Sequence, residues 1–484
     1  MKTVNSSVVK AGLLVLLAFG TVASAAQQTT TDYRNLEYPP LREIKIPEVS
    51  RVTLSNGMQL LLLEDHELPL IRLTARIRTG SIYDPVDRIG LADITGEVMR
   101  TGGTPTMSGD EIDELLESMA ASVETGMGAD YGFASLSVLK QDISRTLSIL
   151  ADILMNPAFP QDKIELAKIQ MRSAIARRND EPDQIAGREF SKLIYGEESV
   201  YARHPEYATV NAITRDDLVA FHRKFYGPNA VIAAVWGDFQ TDEMVKVIES
   251  AFKGWKKVSD SAATPPPKVD YRFVNTVNMV PRPDLNQSNV VMGHIGGLAK
   301  DPDYPALVVM NQILGGGFTG RLFKNVRSRE GLAYSVFGSY GTNYVYPGMF
   351  TVGCQTKSES TLQAISAMIA ELKKIRESEV TQEELKLAKE SFMNSFVFNF
   401  DTEGEIVSRI LTYEYYGYPA DFLMKMRDQI DKVTAKDILR AARTHIHPDK
   451  LQILVVGNPD EFDKPLSTLG QVRTIDTTIP APKQ

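Results

Sequence analysis

Ile213-Thr214-Arg215-Asp216-Asp217-Leu218, running on to Val235-Trp236-Gly237, aligns without gaps to Val433-Thr434-Ala435-Lys436-Asp437-Ile438, running on to Val455-Val456-Gly457. The shift is 220 residues, with identities at Thr214/Thr434, Asp217/Asp437, Arg223/Arg443, Pro228/Pro448, Val235/Val455 and Gly237/Gly457. In each copy Thr-x-x-Asp opens a helix as its cap, a proline stops it, and an apolar run of strand-forming residues ends on glycine. The simplest account is one α+β domain present twice, as two tandem homologous domains, each a mostly antiparallel sheet with helices packed on one face. Residues 254–272, which include Pro265-Pro266-Pro267, read as an extended, fairly stiff linker. It separates a first domain over residues 51–253 from a second over 273–470, and leaves 471–484 as a polar, proline-bearing tail expected to be loose.

Within the first domain, Val52-Thr53-Leu54 and Gln59-Leu60-Leu61-Leu62-Leu63 flank Asn56-Gly57, a hairpin signal. Apolar residues recur at helical spacing over about 109–119, 143–154 and 163–178. The N-terminus reads as an export signal, with basic Lys2 and Lys10, a largely apolar Ala11 to Ala18, and Ala23-Ser24-Ala25 as a small-residue cleavage site. Residues 1–25 are therefore expected to be removed and 26–50 to form an N-terminal extension. The mature chain would be exported, and periplasmic in a cell with two membranes. Loss of Lys2 and Lys10 takes the formal charge from −8 to −10, which argues against general nucleic-acid binding. No other stretch approaches the ~20 apolar residues of a membrane span, and one cysteine, Cys354, excludes an intrachain disulfide.

Several strings carry a family resemblance in order along the chain: Leu54-Ser55-Asn56-Gly57, Gly80-Ser81 with Asp84-Pro85, Gly90-Leu91-Ala92 running on to Gly102-Gly103-Thr104, His204-Pro205, and Phe225-Tyr226-Gly227-Pro228-Asn229. The second half adds Leu314-Gly315-Gly316-Gly317-Phe318, Arg321-Leu322-Phe323, Val326-Arg327 and Gly331-Leu332-Ala333-Tyr334-Ser335-Val336. From about Arg51 to about Pro459 the chain resembles the pitrilysin/insulinase family, which includes the mitochondrial processing peptidases and two-subunit bacterial peptidases. The resemblance implies that the two domains form half of a clamshell, with peptide held as an added strand on a sheet edge. The matching edge here would be Ala121-Ser122-Val123-Glu124-Thr125, with Gly126, Met127 and Gly128 leaving its extent open.

Family members that cut peptides carry His-x-x-Glu-His on a helix after Gly-Leu-Ala. Residues four apart share a helix face and offer two imidazoles to one zinc ion, and the Glu serves as general base toward the metal-bound water. By that resemblance the first His position is Asp93, the Glu position Gly96 and the second His position Glu97. The third ligand, a Glu on a later helix, falls at Ala174 by counting back from Pro182, and a slip of one residue gives only Ser173 or Ile175. Asp93 and Glu97 could together face a hard cation, but such ions want six or more oxygens, and acidic residues early in a helix also answer its dipole. None of the histidines, His66, His204, His222, His294, His445 and His447, forms a zinc motif. His445 and His447 would share a strand face but lack an evident third ligand, which favours a surface or packing role.

The second half keeps what the resemblance marks as an Arg/Tyr pair, Arg327 and Tyr334, that reaches across to a zinc-bearing domain. A guanidinium and a phenol near a scissile carbonyl can hold substrate and stabilise a developing oxyanion. Other chemistries fail on the residues. Gly315-Gly316-Gly317 lacks the Gly-Lys-Ser/Thr ending of a phosphate loop, no Gly-x-Ser-x-Gly elbow surrounds Ser339, and Cys354 lies in an apolar run as a buried bystander. The expectation is a chain inactive alone, holding no metal or cofactor of its own. It would pair with a same-fold, zinc-bearing peptidase subunit and contribute Arg327 and Tyr334 to that partner's site on peptide substrates. A non-enzymatic peptide-binding or scaffolding homo-oligomer is the alternative. Autonomous activity with an unusual metal at Asp93 and Glu97 comes last, because Gly96 has no side chain to act as base.

Overall fold

The computed structural model describes residues 47–259 and 265–481. The expected signal peptide, nearly all of the N-terminal extension and the middle of the linker lie outside the described residues. Strands β1 (Ser50–Thr53), β2 (Gln59–Glu64), β3 (Leu70–Ile77), β4 (Ser122–Met127), β5 (Gly132–Leu139) and β6 (Val231–Gly237) form one sheet in the order β1-β2-β6-β3-β5-β4. The second half supplies β7 (Thr276–Pro281), β8 (Gln287–Ile295), β9 (Gly297–Leu298), β10 (Ala333–Tyr340), β11 (Thr342–Asn343), β12 (Met349–Lys357), β13 (Gln452–Gly457) and β14 (Val472–Thr474). Its main sheet has the order β10-β12-β8-β13-β7-β14, and β9 and β11 pair as a short parallel ribbon.

Read from opposite ends, the two orders correspond at five of six strands; the sixth differs, since β1 pairs with β2 antiparallel and β14 pairs with β7 in parallel. In both, the late strand of each half (β6, β13) lies parallel to the first long strand (β2, β7) and antiparallel to the second (β3, β8). The repeated Thr-x-x-Asp strings cap helices Arg215–Phe225 and Ala435–His445. Each Thr hydroxyl accepts from the backbone N–H three residues on, and each Asp carboxylate accepts from the Thr backbone N–H at 2.8 and 2.9 Å. Such caps satisfy donors that the first helical turn leaves open.

On one face of each sheet the helices of its own half close a large apolar core: Ile71, Leu73, Ile94, Val98 and Leu150 in the first, and Val290, Met292, Met310, Leu314 and Ile365 in the second. The opposite faces are covered too, each by a helix from the other half. Helix Glu403–Tyr416 sets Ile406, Val407 and Ile410 against Leu61, Leu63, Ile232 and Ala234 of the first sheet. Helix Pro182–Tyr195 sets Ile185, Phe190 and Ile194 against Val280, Ile295, Leu454 and Val456 of the second. The packing of helices on one face is thus completed by an exchange on the other. Leu60 to Leu63 and Val231 to Val235 are buried at consecutive positions, as strands covered on both faces must be.

An aromatic seam joins these exchanged helices. Tyr346 stacks on Tyr201 with ring centres 4.2 Å apart, and Tyr344 stacks on Tyr416 at 4.7 Å. The Tyr416 hydroxyl donates to the Asp130 carboxylate at 3.0 Å, and Tyr415 donates to the Asp130 carbonyl at 2.7 Å.

In the tail expected to be loose, Val472–Thr474 is the edge strand β14, paired in parallel with β7. Beyond it the Ile475 N–H donates to the Met279 carbonyl at 2.8 Å, and Ile479 packs on the first core. Val472, Ile475 and Ile479 give this otherwise polar segment three apolar anchors along its path. No helix among the described residues is long and apolar enough to cross a membrane.

Candidate functional site

Helix Leu91–Thr101 carries the positions that the resemblance assigns to zinc. Its start is held by Asp84, a buried carboxylate that accepts from the N–H groups of Gly90 at 2.8 Å and Ala92 at 2.9 Å, beside the Arg203 guanidinium bonded to the Asp84 carbonyl at 2.5 Å. Burial pushes the Asp84 carboxyl up to about 7, even though both backbone hydrogen bonds favour its charged form. Ile94, Val98 and Met99 anchor the helix in the core, leaving Asp93 and Glu97 on its outer side. Asp93 keeps part of its surface in solvent, yet desolvation by the surrounding protein, and then the Glu97 charge, raise its carboxyl above the ordinary range. Desolvation raises Glu97 as well.

These residues do not fit a zinc ion. They offer two carboxylates and no imidazole, and Ala174, exposed on helix Gln161–Arg177, ends in a methyl group. Among the described residues, the one grouping of three side chains at ligand separation is Asp301, Asp303 and His445, elsewhere in the fold. Asp303 there is already paired, with Arg440 at 2.6 Å and His445 at 3.0 Å. His447 and the buried His294 meet in a bond from the His447 N–H to His294 Nε2 at 3.1 Å, against the Phe273 ring.

Gly96 adds a steric fact. A Cβ there would stand 2.8 Å from the Gly126 carbonyl carbon, 2.9 Å from Gly126 Cα and 3.1 Å from the Met127 nitrogen. The Thr125 hydroxyl donates to the Gly96 carbonyl at 2.6 Å, so the helix rests directly on β4. β4 is the edge of its sheet, and it runs through Gly126 to Met127, settling the extent that the sequence left open. The expected peptide-binding segment, 121–125, lies on this edge.

Arg327 and Tyr334 stand at the edge of the other sheet. Arg327 sits on a π-helix, Phe323–Arg329, a rare winding that often marks functional positions. Tyr334 falls where the β10–β12 register slips between Ala333 and Ser335, and a bulge there turns the ring outward. The ring is 79% exposed, so it is no core aromatic. The Arg327 guanidinium lies over the Phe323 ring at 4.5 Å and the Tyr334 ring at 5.3 Å. Phe318, 76% exposed, meets Phe323 edge-on at 4.8 Å. The segment is pinned by Arg321, which makes a two-pronged pair with Glu384 at 2.7 and 2.9 Å and draws that carboxyl down to about 2.

Gly315 of the preceding triple glycine packs against β10 itself, since a Cβ there would meet the Gly338 carbonyl oxygen at 2.1 Å. The glycine serves a helix-to-strand contact, as Gly96 does in the first half. Sequence reasoning passed over Asp84 as a helix anchor, Glu384 as the brace for Arg321, and Phe318 with Phe323 as neighbours of Arg327. Asp84-Pro85 and the glycine run were visible as strings, but nothing in them names a partner. Cys354 is buried, and burial raises its thiol to about 12.

Comparison with known proteins agrees with this geometry. The profile described as Insulinase (Peptidase family M16) matches residues 62–202, and that described as Peptidase M16 inactive domain matches residues 212–392. A Bacillus subtilis protein named "Uncharacterized zinc protease YmxG" is 26% identical over 363 residues, which cover 75% of this chain and 87% of that protein. A Helicobacter pylori protein named "Non-peptidase homolog YmxG" is 26% identical over 406 residues, covering 82% and 90%. Among solved structures, a peptidase M16 inactive domain from Pseudomonas fluorescens superposes with a TM-score of 0.75 at 25% identity, covering 87% of this chain and all of that one. A protease from Helicobacter pylori superposes at 0.74 with 18% identity, covering 85% and 99%, which speaks to the fold alone.

Proposed function

The chain belongs to the insulinase family, peptidase M16, and from that premise we propose that it is the non-catalytic subunit of an exported, heterodimeric, zinc-dependent peptidase. The observation that carries this reading is a contrast within one molecule. The metal face has lost its donors at Asp93, Gly96, Glu97 and Ala174, while a half-buried Arg327 and an exposed Tyr334 are held side by side by a π-helix, a bulge and the Arg321–Glu384 brace. A same-fold partner supplies the zinc. This chain supplies a guanidinium and a phenol toward the substrate carbonyl, where such donors stabilise developing negative charge. Peptide lies along a sheet edge, bonded mainly through its backbone.

The test is hydrolysis of a mixed peptide library by the purified chain, by a same-fold zinc-bearing subunit from the same cell, and by their mixture, with zinc measured in parallel. Activity and zinc that appear only when the partner is present support the divided site. Zinc-dependent cleavage by this chain alone refutes it, and an inactive mixture in which the chain still binds peptide favours the scaffolding homo-oligomer.

A further inference from the structure

A cavity of about 620 Å³ opens on the outside of the first half, between the end of helix Ile143–Met155, helix Arg215–Phe225 and the start of the linker. That volume lies within the ~300–1,000 Å³ range of small-molecule sites. Arg215, Arg223, Lys256 and Lys257 line it together with His222 and Trp255, and among the described residues no carboxylate does. Arg223, Lys256 and Lys257 have no ion-pair partner among the described residues. In a chain with 61 acidic against 53 basic residues, three unpaired cations facing one cavity form a local field opposite in sign to the whole.

The cavity is built rather than merely lined by flexible charges. Arg215 is fixed by donating to the carbonyls of Phe159 and Ala158, both at 2.9 Å, and its remaining nitrogen has no protein partner among the described residues. His222 donates to the Leu154 carbonyl at 2.9 Å and stacks on Tyr226 with ring centres 5.1 Å apart. Trp255, nearly buried, stacks on Phe252. Phe159 adopts a left-handed φ of 47°, which bulky residues avoid, and it is held there by the Arg215 bond to its carbonyl. The linker strand that brings in Lys256 and Lys257 is itself clamped, because Asn229 exchanges two hydrogen bonds with Val258 at 2.9 and 3.0 Å.

We infer that this cavity binds a small phosphate monoester carrying a flat apolar group, with the phosphate among Arg215, Arg223 and Lys257 and the flat group against the His222 and Trp255 rings. Three or more cations match a dianion rather than a single carboxylate, and the aromatic wall offers nothing to a bare hydrated ion. The site is separate from the Arg327–Tyr334 edge, and its test does not depend on any peptidase activity.

The chain contains two tryptophans, so Trp236→Phe leaves Trp255 as the sole reporter. Phenyl phosphate titrated into that variant at constant ionic strength should give a saturable change in Trp255 emission, with sulfate as the screening control. Replacing exposed Arg223 and Lys257 by alanine should weaken the midpoint about tenfold or more, since charge-assisted contacts are lost. A response that never saturates, or an unchanged midpoint in the double variant, overturns the inference. So does attachment to phosphatidylglycerol vesicles without any saturable response to phenyl phosphate, which would mark a diffuse surface charge instead.

Discussion

Replacing Gly96 by alanine tests the contact through which the helix Leu91–Thr101 rests on β4. Alanine in a free helix interior is about 1 kcal/mol better than glycine. At position 96, however, the new methyl would stand 2.8 to 3.1 Å from three backbone atoms of Gly126 and Met127. Carbon atoms pack comfortably at about 3.5–4.0 Å, so helix and strand must part by roughly half an ångström or more. Overpacking of this kind costs about 1–3 kcal/mol, and parting also strains the Thr125 bond to the Gly96 carbonyl.

The two effects sum to a loss of about 0–2 kcal/mol. Gly187, in helix Pro182–Tyr195, is the matched control, because a Cβ there meets nothing within 4 Å. Gly187→Ala should therefore stabilise by about 1 kcal/mol, leaving a gap of about 1–3 kcal/mol between the variants in urea unfolding. If both variants gain stability equally, the helix is not seated on β4 and the steric argument is wrong. If the gap is found, restoring histidines at 93 and 97 with glutamates at 96 and 174 should fail to recover zinc binding, as equilibrium dialysis would show.

Three further outcomes follow from the geometry. In the reconstituted pair, Arg327→Ala or Tyr334→Phe should lower kcat/KM by about tenfold or more, as loss of an oxyanion donor does. Subunit association by sedimentation should be unchanged, and full activity in both variants would refute the assigned role. Asp84 is held near 7 in the fold against 3.8 in a free chain, so the folded protein binds the extra proton between those values. Its contribution is present below about pH 4 and declines as pH rises toward 7, so the stability advantage of the parent over Asp84→Asn should shrink across that window; an advantage that grows with pH would contradict the raised carboxyl. Finally, Ile410→Ala removes a side chain wedged against the first sheet and should cost about 2–5 kcal/mol, with both sheets lost in one transition.

The repeat beginning at Ile213 and Val433 made the duplicated fold legible, because the Thr-x-x-Asp caps and the glycine-ended strands are local features that survive divergence. The exchange of helices was not read, although Leu60 to Leu63 hinted at it: an unbroken apolar run needs cover on both faces, and a single face was assigned. The covering helix lies more than 300 residues away, a separation about which periodicity is silent. At the site, the family resemblance identified the positions of Asp93, Gly96, Glu97 and Ala174, but not the close approach of Gly96 to Gly126, which is a property of the tertiary packing. Likewise the string holding Arg327 and Tyr334 was visible, whereas the π-helix under Arg327 rests on local i→i+5 bonds that side-chain patterning does not announce, and the bulge that turns Tyr334 outward depends on how β10 pairs with β12.

The helix exchange also changes what the linker is for. A chain cut between its halves would yield two fragments, each with one sheet face bare and one helix lacking its seat. Neither piece is a free-standing folding unit, yet each displays the surface the other lacks. Mixed together they should complement and regain the uncut structure, the covalent connection between them serving this assembly by raising the effective concentration of one half around the other.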